Sequence, residues 1–263
     1  MSPPGVTTDA WAALRRHTSA RIALGRAGGS TPTAELLRFA LDHAEARDAV
    51  HAELDIEALE RSLEGLSLPI IRLSTRAANR LDYLQRPDLG RSLDDPSRGR
   101  LQALANASPA GWEISLLVGD GLCAQAAQSL APPLLGTLVP ALRAAGYRLA
   151  PVAVARYARV ALQDDVGSIL RAASSVVLLG ERPGLHAPVS LGAYLVYDPR
   201  PGTTDERRNC VSNIRPAGLP TDAAAATLLY LVTESLRRQI SGVHLKDERP
   251  PRPLPDIHHL PTA

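Results

Sequence analysis

From Trp112 onward, apolar runs rich in Val, Leu and Ala alternate with longer stretches of helical character, and this alternation restricts the fold more than any other feature. Candidate strands at 113–118, 148–154, 175–179 and 193–197 are interleaved with candidate helices at 122–145, 164–172 and 221–239. Strands that are apolar throughout must be covered on both faces. The intervening helices supply that cover, so an α/β fold with a largely parallel sheet is expected. The chain has one Phe, two Trp and six Tyr, which leaves Ala, Leu and Val to fill the interior and suits helices packed closely on a sheet.

The first hundred residues read differently. A helical segment is expected over 9–24, a second helix follows with Thr31 as its N-cap and Pro32 as its first residue, and a third is capped by Asp55 and runs through Leu63. On the second, Leu36, Leu37, Ala40, Leu41 and Ala44 form an i, i+4 stripe. Residues 69–73 form a short strand candidate, while 83–90 (YLQRPDLG) lacks periodicity and is expected as an ordered loop. The resulting organisation is a small helical N-terminal region at 1–108, an α/β domain at 109–247, and a proline-rich tail at 248–263, extended or disordered, that carries His258 and His259.

Charge and residue usage exclude several classes. The formal net charge is +2 with acids and bases interspersed, so neither a nucleic-acid stripe nor an acidic solvating tail is expected. Lys246 is the sole lysine among 29 basic residues. A P-loop grips phosphate through Gly-Lys-Ser/Thr, whereas Lys246 lies between Leu245 and Asp247, and Schiff-base chemistry needs a desolvated amine that this position does not offer. The two cysteines, Cys123 and Cys210, suit a reducing compartment better than a disulfide framework. No apolar run approaches the ~20 residues that span a bilayer, and the opening MSPPGVTTDAW has no basic stretch leading into an apolar one, so neither membrane insertion nor export is expected. The patterns HExxH, CxxC and GxSxG are absent, and no catalytic or metal-ligating constellation stands out.

Functional signal concentrates in residues 176–218. A β-branched apolar run stops at Gly180, and Glu181-Arg182-Pro183-Gly184 places paired charges and a rigid turn where a buried strand reaches a surface. In open α/β sheets that edge is where ligands bind. Further on, Arg207–Arg215 (RRNCVSNIR) sets polar donors around a short apolar core, and two such loops on one edge would make a polar pocket. Glu181 and Arg182 also have a plain reading as an exposed ion pair of little energetic weight. A rival ligand reading lies at Gly119-Asp120-Gly121-Leu122-Cys123-Ala124, a G-x-G-x-x-A match between strand and helix that would make the chain a stand-alone dinucleotide-dependent oxidoreductase. Against it, no acid occurs between Gly121 and Gln163 to hold a ribose, and Asp120 would bring a carboxylate toward a pyrophosphate. A tight strand-to-helix turn accounts for the same residues.

GERPGL and the Cys-x-Ser-Asn-Ile run, together with RIALGRAGG at 21–29, HAEARDAVH at 43–51, YLQRPDLG, Asp120-Gly121-Leu122, RYARV at 156–160 and Ser241-Gly242-Val243, occur in an order that resembles the light (small) subunit family of adenosylcobalamin-dependent ethanolamine ammonia-lyase. The resemblance covers roughly residues 10–247 and implies a Rossmann-like three-layer domain whose sheet edge holds cobalamin. It implies cofactor contacts at Val160, Glu181 and Cys210, with the Asp120-Gly121 turn on the same edge. Cys123 stands where the family more often has serine. The resemblance also implies a heavy-subunit partner, a TIM barrel carrying ethanolamine, in a hetero-oligomer with equal numbers of both subunits. An adenosyl radical there takes hydrogen from the hydroxyl-bearing carbon, and amine migration and loss yield acetaldehyde and ammonia. No Asp-x-His-x-x-Gly string is present to displace the cofactor's own base, since Asp42-His43 is not followed by the required spacing or glycine. Base-on cobalamin and no protein metal ligand are therefore expected. The family often works inside bacterial microcompartments with the aid of an N-terminal extension; here helix is expected from Asp9, so the cytosol is the first expectation and packaging the alternative.

Overall fold

The central strands of the sheet carry side chains on two buried faces, and different helices cover each face. In the computed structural model, which describes residues 5–18 and 20–250, the strands are β1 (Ile70–Ser74), β2 (Trp112–Gly119), β3 (Val152–Arg156), β4 (Ala172–Gly180), β5 (Leu191–Tyr197) and β6 (Arg208–Ile214), in the order β1-β3-β2-β4-β5-β6. The helices are α1 (Thr33–His51), α2 (Ile56–Leu63), α3 (Arg80–Gln85), α4 (Asp95–Ala107), α5 (Ala124–Ala144), α6 (Leu162–Leu170) and α7 (Thr221–Arg238). Side chains alternate along β2: Ile114, Leu116 and Val118 pack with α2, α5 and α7, while Leu117 packs with α4 and α6 on the other side. Helices therefore sandwich the sheet.

The sheet is mixed rather than largely parallel. Pairs β1–β3, β2–β3 and β2–β4 are parallel, whereas β4–β5 and β5–β6 are antiparallel. Parallel pairing requires a crossover long enough for a helix. The connections at 181–190 and 198–207 contain no α-helix, so the chain returns antiparallel and the expected loop at 207–215 becomes edge strand β6. At the opposite edge, β1 pairs with β3 although it falls within 1–108.

The N-terminal expectations divide. Asp55 caps α2, its carboxylate accepting from the Ala58 amide at 2.9 Å. Residues 9–24 do not form the expected helix; a 3-10 turn at Ala12–His17 with no buried residue and a bridge between Thr7 and Arg26 stand in its place. A helix there would have no face to bury, and helix stability in proteins comes mostly from such a face. Helix α1 begins at Thr33 with Pro32 as its N-cap, one residue later than expected. Its apolar stripe is uncovered: Leu36, Leu37 and Leu41 are 58%, 64% and 59% exposed. The 83–90 block is not a loop throughout, since α3 ends at Gln85 and buries Tyr83. The tail from 251 on, with His258 and His259, lies outside the described residues.

Two glycines set how closely the functional edge can pack. Gly121 has φ +55°, and a Cβ on it would collide with the Gly180 carbonyl; a Cβ on Gly180 would collide with the Cys123 carbonyl. The Leu122 amide donates to Gly180 O at 2.9 Å across this contact. Gly121→Ala should therefore destabilise the fold by about 1–3 kcal/mol through overpacking and an unfavourable backbone. By contrast, Gly136→Ala in α5, where a Cβ meets open space, should add about 0.5–1 kcal/mol. Urea unfolding of both variants checks the opposite signs.

Candidate functional site

Where β2 leads into α5 on one face of the sheet and β3 leads into α6 on the other, the chain diverges and leaves a crevice at the strands' carboxyl ends. Small-ligand sites are clefts of roughly 300–1,000 Å³. The cleft here measures ≈ 460 Å³. Gly121 and Leu122 come from the β2–α5 turn, Arg159 and Val160 from the β3–α6 loop, and Glu181 and Arg182 from the loop after β4. Tyr83 of α3 and Tyr194 of β5 complete the wall. Glu181, Val160 and Gly121, drawn from three separate segments, are thus brought together.

Glu181 is half-buried and held from two sides. The Ser190 hydroxyl donates to its carboxylate at 2.6 Å, and the Asn213 amide approaches both oxygens at 3.3 Å. Among the ion pairs of the described residues none joins Glu181 to Arg182, so the plain reading of this dipeptide as a surface ion pair does not describe the structure. A carboxylate has about four acceptor positions, which leaves capacity for a ligand donor after these contacts. The Asn213 contact also explains what the Cys-x-Ser-Asn-Ile block does for the edge. At φ +58°, Asn213 turns its amide toward Glu181 from β6.

Cys210 does not line this cleft. It sits on β6 opposite Tyr194 of β5, and as a residue it is exposed rather than buried. Neighbouring atoms still cover its sulfur enough to push the thiol above its ordinary range, an effect that hydrogen bonding with Tyr194 partly offsets. Tyr194, which does line the cleft, connects Cys210 to it. Cys123 is buried, and its thiol donates to Pro188 O at 3.3 Å, tying the turn to the 181–190 loop.

Asp120 lies beneath the cleft and is fully buried. Its carboxylate accepts from the Ala158 amide at 3.0 Å and from Arg80 Nη1 at 3.1 Å, while the same Arg80 nitrogen donates to Gly121 O at 2.9 Å and Arg80 Nε to Val50 O at 2.7 Å. One buried ion pair therefore ties the β2–α5 turn, the β3–α6 loop, α3 and the end of α1. The dinucleotide alternative loses its geometry here. The Leu122 amide is consumed by Gly180 O, and the strand end of β4 occupies the space against the turn.

Sequence reasoning missed Arg80, Tyr83, Arg159 and Tyr194. Tyr83 is sandwiched between guanidinium groups, with Arg80 Cζ 4.8 Å and Arg159 Cζ 4.1 Å from its ring centre, and its hydroxyl donates to Ala158 O at 3.2 Å. The YLQRPDLG block was the available signal, but nothing in it indicates what the tyrosine packs against. Among the described residues, no group of three or more His, Cys, Asp or Glu could hold a metal ion, and no helix is long and apolar enough to cross a membrane.

Burial raises the Asp120 pKa from 3.8 to about 6, overcoming the opposing pull of Arg80 and of the Tyr157, Ala158 and Gly121 amides. Between those values the folded chain holds a proton that the unfolded chain releases, so this group's contribution to stability grows as pH falls from about 6 to about 4 and is lost as pH rises back through about 6. Relative to Asp120→Asn, which carries no titrating group at this position, the unfolding free energy of the native chain should rise on acidification across that window. At neutral pH, Asp120→Ala, which removes the acceptor altogether and leaves both the Arg80 charge and the Ala158 amide without it, should cost about 3–5 kcal/mol. Denaturant titrations at a series of pH values check both statements.

The family profile described as "Ethanolamine ammonia-lyase light chain (EutC)" matches residues 8–246. The chain is 50% identical over 248 residues to a protein named ethanolamine ammonia-lyase small subunit from Rhodopseudomonas palustris (strain BisA53), covering 94% of each. It is 51% identical over 246 residues to the protein of that name from Ralstonia nicotianae, covering 94% of this chain and 91% of the relative. A third, from Bradyrhizobium diazoefficiens, is 50% identical over 249 residues, covering 94% of each.

Proposed function

Because the chain belongs to the ethanolamine ammonia-lyase light-chain family, matched over residues 8–246, we propose that it is the cofactor-binding subunit of that lyase and acts with a heavy subunit to convert ethanolamine to acetaldehyde and ammonia. The observation that carries this reading is the convergence of Gly121, Val160 and Glu181 on one cleft at the sheet's carboxyl edge. The cofactor we assign to it is adenosylcobalamin, with residues 109–247 as a Rossmann-like binding domain to which β1 adds an edge.

The residues present fit an edge of a corrin. Corrin side chains end in primary amides that donate hydrogen bonds, and Glu181 offers a carboxylate with spare acceptor capacity, braced by Ser190 and Asn213. Val160 gives the cleft an apolar wall, and Gly121 keeps side chains off its floor. Tyr194 carries Cys210 toward the same edge through strand pairing. When bound, cobalamin supplies radical chemistry through its cobalt–carbon bond, and the protein supplies orientation and exclusion of water.

This chain's residues bind rather than turn over substrate. Among the described residues Glu181 is the one carboxylate on the cleft wall, and no imidazole or amine accompanies it there, so these residues do not offer the acid–base pair that proton transfer needs. We assign ethanolamine and the catalytic residues to the heavy subunit, in a hetero-oligomer with equal numbers of both chains located in the cytosol. A base-on cofactor would need no protein ligand to its cobalt, and among the described residues that line this cleft none is a histidine.

Acetaldehyde release from ethanolamine should require this chain, the heavy subunit and adenosylcobalamin together; turnover by this chain alone would overturn the reading. In the reconstituted complex, Glu181→Ala should weaken adenosylcobalamin binding by at least about tenfold, as expected for losing a charge-assisted hydrogen bond, while the chain loses no more than the roughly 1–3 kcal/mol that follows from unpairing the Ser190 and Asn213 donors. Cofactor titration by visible absorption measures the affinity, and an unchanged value would remove Glu181 from the site.

A further inference from the structure

A second cleft, of ≈ 520 Å³, adjoins the first and shares Leu122, Arg159 and Arg182 with it. Its wall brings His43, Arg47 and His51 of α1 against Arg159 and Arg182 of the body, and no carboxylate lines it. Three arginines thus share one wall in which no carboxylate stands, and such a wall carries a positive potential that attracts an anion. Their existing contacts leave donors over. Arg159 is laid flat on Tyr83 and gives Nη2 to Tyr83 O at 3.0 Å, but its Nε is buried without a partner. Arg47 has only an exposed 3.6 Å approach to Asp48, its neighbour in sequence. The nearby Asp42 is engaged by Arg21. Leu84, Leu122 and Leu185 form the apolar remainder of the wall.

We propose that this cleft is an oxyanion site that takes a phosphate group, with Arg47, Arg159 and Arg182 as its cations. Guanidinium forks match the paired oxygens of a phosphate better than a point charge would. The apolar wall suits a phosphate that carries an organic body. Two sources share this chemistry: the phosphodiester in the nucleotide loop of a cobalamin bound in the adjoining cleft, and free orthophosphate. Only the first source rests on the cobalamin reading above.

Isothermal titration of the complete complex with the heavy subunit, at constant ionic strength, separates them using three probes. These are orthophosphate, adenosylcobalamin, and adenosylcobinamide, a corrin that lacks the nucleotide loop and its phosphate. The double variant Arg47→Ala/Arg182→Ala should lower orthophosphate affinity by at least about tenfold. Arg47→Ala alone touches only the cationic cleft and identifies the occupant. Weakened adenosylcobalamin with unchanged adenosylcobinamide assigns the cofactor's phosphodiester, whereas weakened orthophosphate with both corrinoids unchanged assigns the free anion. Equal affinities of native and variant complexes for all three probes, or equal weakening of both corrinoids with no effect on orthophosphate, would overturn the proposal. Should the native complex bind orthophosphate through these arginines and neither corrinoid, the cobalamin reading fails and the oxyanion site stands.

Discussion

The buried carboxylate of Asp120 holds the functional edge together. It ends β2, accepts from the Ala158 amide after β3, and pairs with Arg80, which also reaches Gly121 O and the Val50 carbonyl at the end of α1. Each partner belongs to a segment that would otherwise be a separate loop. A buried pair of this kind gives little net stability compared with an apolar replacement, but removal of one partner is costly because the other charge remains. Its value here is geometric: four chain segments are held in one relation, and the cleft lies between three of them, the β2–α5 turn, the β3–α6 loop and α3. The raised Asp120 pKa reflects the same burial, with desolvation exceeding what Arg80 and the surrounding amides return.

Packing at the glycines carries that relation into the sheet. Gly121 and Gly180 let the β2–α5 turn lie directly on the end of β4, so the Leu122 amide can be satisfied by Gly180 O. The loop after β4 therefore leaves the sheet close to the turn, which puts Glu181 and Gly121 on one wall. The antiparallel strands β5 and β6 then bring Asn213 back under Glu181 and Cys210 beside Tyr194. A parallel continuation of the sheet would have sent those residues to the far side of a crossover helix.

The two adjoining clefts differ in their acids: Glu181 lines the first, and no carboxylate lines the second. Glu181 has acceptor capacity left for a ligand donor, while Arg47, Arg159 and Arg182 line the wall where no acid is present. Arg159 and Arg182 line both. Tyr83 sets the orientation of Arg159 through stacking and through the Tyr83 carbonyl, so α3 supports both clefts, lining one with Tyr83 and the other with Leu84.

Local chemistry alone determined the elements whose residues carry their own instructions. The apolar runs became strands within a few residues of their expected bounds, Asp55 capped α2, and the helical periods of α5, α6 and α7 held. Position on the strand-terminal edge likewise marked the 181–184 turn as a place where a ligand could bind, while the family resemblance supplied Glu181, Val160 and Cys210 as the contacts and the Asp120-Gly121 turn beside them. Strand direction was not legible, because an apolar strand reads the same whether its partner is parallel or antiparallel; the length and content of the connections after β4 decided it. Neither was burial of charge. Nothing local distinguishes Asp120, which is buried under Arg80, from an exposed turn aspartate, nor tells that the Leu36, Leu37 and Leu41 stripe of α1 stays uncovered. Periodicity specifies which side chains share a face, whereas what meets that face is fixed by contacts between residues such as Arg80 and Asp120 that lie forty positions apart in the chain, and those exist only once the tertiary structure has formed.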